Sequence, residues 1–153
     1  MLPRATRAVL TLIVLVATTT LSVNDAQTQA NLSIVVLSGS TVSVPVTAAD
    51  VEAGFVEILD QTTLEVTADV NWQVTASVTL DSFPAGTENP TALALEVGNN
   101  DSPGTFNPGG GLVQTGTPGT TQFTVDFRIN LSTLGDAPAG TYSFTITYTV
   151  SAL

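Results

Sequence analysis

The sequence has no cysteine, no histidine and no lysine, and its 153 residues include three bases, Arg4, Arg7 and Arg128. Without thiols or imidazoles it has no disulfide frame, no transition-metal ligand set and no Ser–His–Asp or Cys–His relay. Without lysine it has no Schiff-base nucleophile. Thirteen acidic residues set the formal net charge at −10, the wrong sign for neutralising the phosphates of nucleic acid. A sustained helical stripe of apolar residues is missing as well. At this length the chain suits one domain of ordinary size.

An enzyme made from this alphabet would have to rely on carboxylates alone, as glycoside hydrolases do. Its acids, from Asp50 and Glu52 to Asp126 and Asp136, are scattered over turns and polar strand positions. No two sit in a recognisable catalytic setting. Glu57, Glu65, Glu96 and Asp126 fall on the wet faces of strands, and Asp126 and Arg128, two apart on one face, are expected to form a surface ion pair worth little. The expectation is a protein that is not an enzyme and uses no cofactor and no metal.

The first thirty residues read as an address. Arg4 and Arg7 open a short positive start, Ala8 to Ala17 is an apolar run, and small polar residues lead to Ala26 and Ala30. That order is the pattern of a secretory signal peptide, and the run is nearer ten than the ~20 apolar residues a spanning helix needs. Cleavage is expected after Ala30, with Ala26 as second choice. Losing Arg4, Arg7 and Asp25 would move the formal charge from −10 to −11 and leave Arg128 as the one base. A secreted or cell-surface location is expected, with no membrane span after cleavage.

From residue 31 the hydrophobic period is two, which predicts strands. Tyr142, Phe144, Ile146, Tyr148 and Val150 share one face, and Thr141 to Thr149 supply hydroxyls on the other. Thr121 to Ile129 and Trp72 to Leu80 alternate in the same way. Shorter matches are Leu64/Val66/Ala68, Leu93/Leu95/Val97, Val42/Val44/Val46 and Leu32/Ile34/Val36, with a further strand over Phe55–Leu59. β-Branched threonine, valine and isoleucine dominate, which suits pleated backbone. These patterns predict an all-β fold, an antiparallel immunoglobulin-like or pilin-like β-sandwich of about eight strands over residues 31–153. Trp72, in register with Val74 and Ala76, is expected in the core. The Thr145/Thr147/Thr149 row is read as a solvated outer face.

Residues 98–119 are rich in Gly, Pro and Asn and break the rhythm, with Leu112–Thr115 expected as a short edge strand. As a binding loop it would present Phe106, or Asn99, Asn100 and Asp101 in a calcium loop. The simpler reading is a flexible hairpin extension, since no Asp-x-Asp-x-Asp-Gly series is present. Sequons at Asn31, Asn100 and Asn130 make glycosylation chemically feasible.

The ending from Ala137 to Val150, a Pro-x-Gly-x-Tyr turn followed by an alternating strand, resembles the closing strands of exported microbial sandwich modules. These include pilin subunits of the chaperone–usher and spore-coat-U type and cell-surface modules of the WxL type. Thr63 to Val74, a strand, an Asn turn and a Trp-led strand, is similar to a pattern in the same proteins. The disulfide usual in spore-coat-U-type pilins and the paired Trp-x-Leu motifs are absent here. The resemblance implies a structural subunit of a surface, pilus or matrix fibre, joined by donor-strand pairing. Leu32, Ile34 and Val36 form the candidate assembly strand, and the expected partners are copies of itself or other surface proteins. The alternative expectation is an extracellular glycan- or surface-binding module using the 98–119 loop. An outer-membrane barrel is a third reading.

Overall fold

A computed structural model of the chain describes residues 8–16, 30–83, 85–99, 105–135 and 141–153. These form ten strands: β1 (Ala8–Val16), β2 (Leu32–Ser38), β3 (Thr41–Val46), β4 (Phe55–Ala68), β5 (Trp72–Ser82), β6 (Leu95–Asn99), β7 (Asn107–Pro108), β8 (Gly110–Gly116), β9 (Gly119–Asn130) and β10 (Thr141–Ala152). One helix, α1 (Ala48–Ala53), lies between β3 and β4. The first sheet has the order β3-β1-β10-β5-β8 and the second β2-β4-β9-β6-β7. Setting aside β1 and the two-residue β7 leaves eight strands, the expected number, although β4 joins two of the expected strands and β8 lies in the 98–119 segment. The two sheets are separate, as in a sandwich, and do not close into a barrel.

Inward positions of the two sheets make one core. Trp72, Val74, Phe144, Ile146 and Tyr148 from the first sheet meet Leu64, Val66, Val125 and Phe127 from the second, all fully buried. Trp72 is in the core as its register requires, and its indole N–H donates to the Thr117 carbonyl at 3.0 Å. Its ring stacks on Phe123 with centroids 6.1 Å apart.

Four local features differ from the sequence reading. First, Phe55–Leu59 and Leu64–Ala68 belong to a single strand, β4, interrupted by a bulge between Ile58 and Thr62. Asp60 has φ 54° there. The bulge puts three residues opposite the single Asp126, an excess of two, so the inward phase of Val56 and Ile58 continues in Thr62, Leu64 and Val66. Second, α1 interrupts the succession of strands. A capping box starts it, with the Thr47 hydroxyl accepting from the Asp50 N–H and the Asp50 carboxylate accepting from the Thr47 N–H at 2.7 Å. Third, Leu93 lies in a short 3-10 turn and is exposed, so the strand begins at Leu95.

The fourth concerns the 98–119 segment, much of which is strand where a hairpin extension is expected. β7 pairs with β6 in the second sheet and β8 pairs with β5 at the edge of the first. The crossing falls on Gly109, Gly110 and Gly111, with φ of 72°, 106° and 139°, a run that only glycine adopts at low cost. The Gly109 N–H donates to the Leu95 carbonyl and its own carbonyl accepts from Val78, which ties the crossing to both sheets.

Candidate functional site

The order β2-β4-β9-β6 reproduces strands A-B-E-D of an immunoglobulin sandwich, and β5 beside β10 reproduces C beside F. In that arrangement strand G flanks F and, joined to it by a short turn, runs antiparallel. Here the flanking position is held by β1, whose sequence reads as the apolar centre of a leader. β1 runs parallel to β10 and antiparallel to β3.

The pairing is continuous on both sides. Val9 to Val16 pair with Thr141 to Tyr148, and Ala8 to Ile13 pair with Val46 to Thr41. Leu10, Leu12, Val14 and Val16 stand opposite Tyr142, Phe144, Ile146 and Tyr148, four of the five β10 residues whose side chains are buried. Among the described residues β3 has no strand partner except β1. Without β1, β10 would present a row of unpaired backbone donors and acceptors, and β3 would lose its link to the sheet. Chemically the site is a slot for one extended, uncharged strand.

The candidate assembly strand lies elsewhere. Leu32, Ile34 and Val36 are in β2, paired with Ala68, Val66 and Leu64 of β4. Ile34 is fully buried, while Leu32 and Val36 pack against the core from partly buried positions. β2 is an edge strand of the second sheet, with Val35 and Leu37 exposed on its outer side.

The binding-loop candidates separate in space. Asn99 ends β6, its backbone paired with Val125; Asn100 and Asp101 lie outside the described residues. Phe106 folds back over the outer face of the second sheet at Gly98, where an added Cβ would stand 2.7 Å from the Thr105 carbonyl oxygen. The Arg128 guanidinium lies 4.2 Å from the Phe106 ring centroid and 5.2 Å from that of Phe55. It pairs with Glu57 at 2.6 Å and approaches Glu96 at 3.7 Å.

The expected Asp126–Arg128 pair is therefore not formed. Cross-strand register puts Arg128 opposite both Glu57 and Glu96. Asp126 is 3% exposed and accepts the Asp60 N–H at 2.7 Å, while Glu96, 8% exposed, accepts from Asn130. Both are on the outer face, as their alternation requires, yet both are covered. Among the described residues no three acids gather where they would hold a metal ion.

Sequence patterning missed the slot because strand neighbours are not encoded by period. The run from Ala8 to Val16 is continuously apolar apart from Thr11, so it carries no alternation to mark it as a strand. The threonine row also has company: Thr145, Thr147 and Thr149 stand opposite Thr79, Ser77 and Thr75. Such cross-strand hydroxyl pairs suit a wet sheet face.

No protein-family model matches the chain, and no curated protein does either. No helix among the described residues is long and apolar enough to cross a membrane.

Proposed function

We propose that the chain is an exported, non-catalytic structural subunit of a surface, pilus or matrix fibre, assembling through β-strand pairing at the slot between β3 and β10. In this reading residues 1–30 act as a leader, and residues 31–153 form the subunit that works outside the cell. One observation carries it: a segment outside 31–153 pairs as a strand along both walls of the slot. Those walls are main-chain ladders, the β10 one backed by buried aromatic and aliphatic side chains, the chemistry that β-augmentation uses. The missing histidine, cysteine and lysine support a role without reaction chemistry.

The test is to recover the protein from its own cell's surroundings, determine its first residue by intact mass, and examine it by sizing chromatography and electron microscopy. The expected result is a chain beginning at Asn31, held in a fibre or a larger complex. A monodisperse monomer at every salt and calcium concentration, or a full-length chain confined to the cytosol, overturns the reading.

A second reading, a glycan- or surface-binding module, is favoured by the row of Phe55, Arg128 and Phe106 on the outer face of the second sheet. Phe55 is exposed there, and aromatic rings beside polar groups suit sugar faces. A glycan array with Phe106→Ala as control decides it: binding lost in the variant supports the module, and no binding, or binding indifferent to the change, removes it.

A further inference from the structure

We infer that the outer face of the first sheet is an ice-binding surface, separate from the slot and from the outer face of the second sheet. Register builds this face. β5 and β10 pair antiparallel, and their outward positions meet in four rungs: Thr79 with Thr145, Ser77 with Thr147, Thr75 with Thr149 and Gln73 with Ser151. Seven of these eight side chains carry a hydroxyl. The alternate positions Phe144, Ile146, Tyr148 and Val150 of β10 are buried, as are Val74 and Ala76 of β5. A packed core therefore holds the hydroxyls outward.

Spacing makes the array two-dimensional. Outward side chains repeat at about 6.8 Å along a strand, and paired strands lie about 4.8 Å apart. That mesh has the scale on which oxygens repeat on the faces of ice. β-Branching restricts the rotation that would scatter the threonine hydroxyls and methyls. Among the described residues, the hydroxyls of Thr75, Ser77, Thr79, Thr147 and Thr149 make no hydrogen bond within the chain, which leaves them to water. The ends of the array are engaged: Ser151 accepts from Gln73 at 3.2 Å, and Thr145 donates to the Asp81 carboxylate at 2.7 Å.

Charge is sorted between the two sheets. The outer face of the second carries Glu57, Glu65, Glu96, Asp126 and Arg128. The four rungs of the first carry no charge, in a chain whose formal net charge is −10. The neutral patch continues onto β8, where Leu112 stands opposite Thr75 and Gly110 opposite Ser77.

This chemistry fits ice better than a neutral polysaccharide. Trading water for sugar hydroxyls gains little, because the net worth of such an exchange is small, and the rungs hold no aromatic ring to stack on a sugar. Ice requires no trade. Its surface atoms are water oxygens, so the hydroxyls keep the bonds they already make, and the waters they hold bridge to the crystal.

The experiment freezes a dilute solution of the full-length chain slowly onto a cold finger and compares protein in the ice with protein left in the liquid. Thr147→Tyr and Ser77→Tyr place a ring in a central rung from either strand, and Glu65→Tyr places one on the other sheet. Urea midpoints show which variants are folded, and sedimentation with microcrystalline cellulose is run in parallel. The wild-type chain and Glu65→Tyr are expected to concentrate in the ice, the two rung variants to stay in the liquid, and none to sediment with cellulose. Exclusion of the wild-type chain from ice overturns the inference. Equal uptake of the folded rung variants overturns its assignment to this face. Sedimentation with cellulose that the rung variants lose, with ice excluding the chain, makes a polysaccharide the occupant and overturns it as well. Assembly at the slot is tested separately, by the fibre itself.

Discussion

Gly116 lies against the indole of Trp72, and a Cβ there would stand 2.2 Å from Cζ2 of the ring. Because Trp72 is fully buried and its N–H is tied to Thr117, the ring has no room to retreat. Gly116→Ala is expected to lower stability by about 1–3 kcal/mol, the usual range for overpacking a core, read from the urea midpoint at unchanged slope. Tyr148 offers a test of opposite sign. Among the described residues its buried hydroxyl has no hydrogen-bond partner. Burial pushes its ionisation well above the usual tyrosine range, and the nearby Thr62 hydroxyl works weakly against this. The folded state therefore keeps its proton where the unfolded chain loses it, so stability is complete below about pH 10 and falls above it. Tyr148→Phe is expected to flatten that alkaline fall and leave neutral stability equal or higher by about 1 kcal/mol. Denaturant titrations from pH 8 to 11 check it. The inward position of Trp72 was legible from its alternation with Val74 and Ala76. The partners of Arg128 were not, because they lie on strands 71 and 32 positions away in the chain.

At the scale of elements, the β4 bulge shows how a local irregularity is held by a distant side chain. Asp60 leaves the ladder, and the carboxylate of Asp126 takes up its N–H while the Asp60 carboxylate accepts the Thr124 hydroxyl at 2.8 Å. Asp126→Asn keeps the shape and loses the charge-assisted bond, so a loss of about 1–2 kcal/mol is expected. Hydrogen exchange should quicken first at residues 58–62; a loss spread evenly over β4 and β9 would contradict a local role. The strands themselves were readable because alternation is a property of consecutive residues. The bulge was not, since it read as a break between two strands. α1 carried its own mark, the Thr47-x-x-Asp50 box, but a helix this short has no apolar stripe for periodicity to detect.

At the scale of the whole molecule, β1 is the element on which the completeness of the first sheet depends. In the chain cut between residues 17 and 29 and freed of β1, amide exchange is expected to rise at 41–46 and 141–148. The β4–β9 ladder of the second sheet should remain protected. Equal loosening of both sheets would make β1 part of one cooperative core and not an exchangeable strand. The edge at β2 has a different character, with a neighbour on one side and no charge in its seven residues. β3 carries Pro45, which lacks an N–H for edge pairing.

The sequence by itself determined the all-β class, the inward set led by Trp72 and the alternating run of β10, because side-chain period and β-branched composition act between adjacent residues. Its lack of cysteine, histidine and lysine likewise bounds the chemistry wherever the chain folds. Tertiary structure alone decided which strands are neighbours. It joined Arg128 to Glu57 and Glu96, carried residues 107–116 from one sheet to the other, and seated Ala8–Val16 between β3 and β10. The physical reason is that backbone hydrogen bonds between strands are indifferent to sequence separation: any extended segment of suitable length and apolarity satisfies an open ladder, and only the folded sheets show where that ladder is.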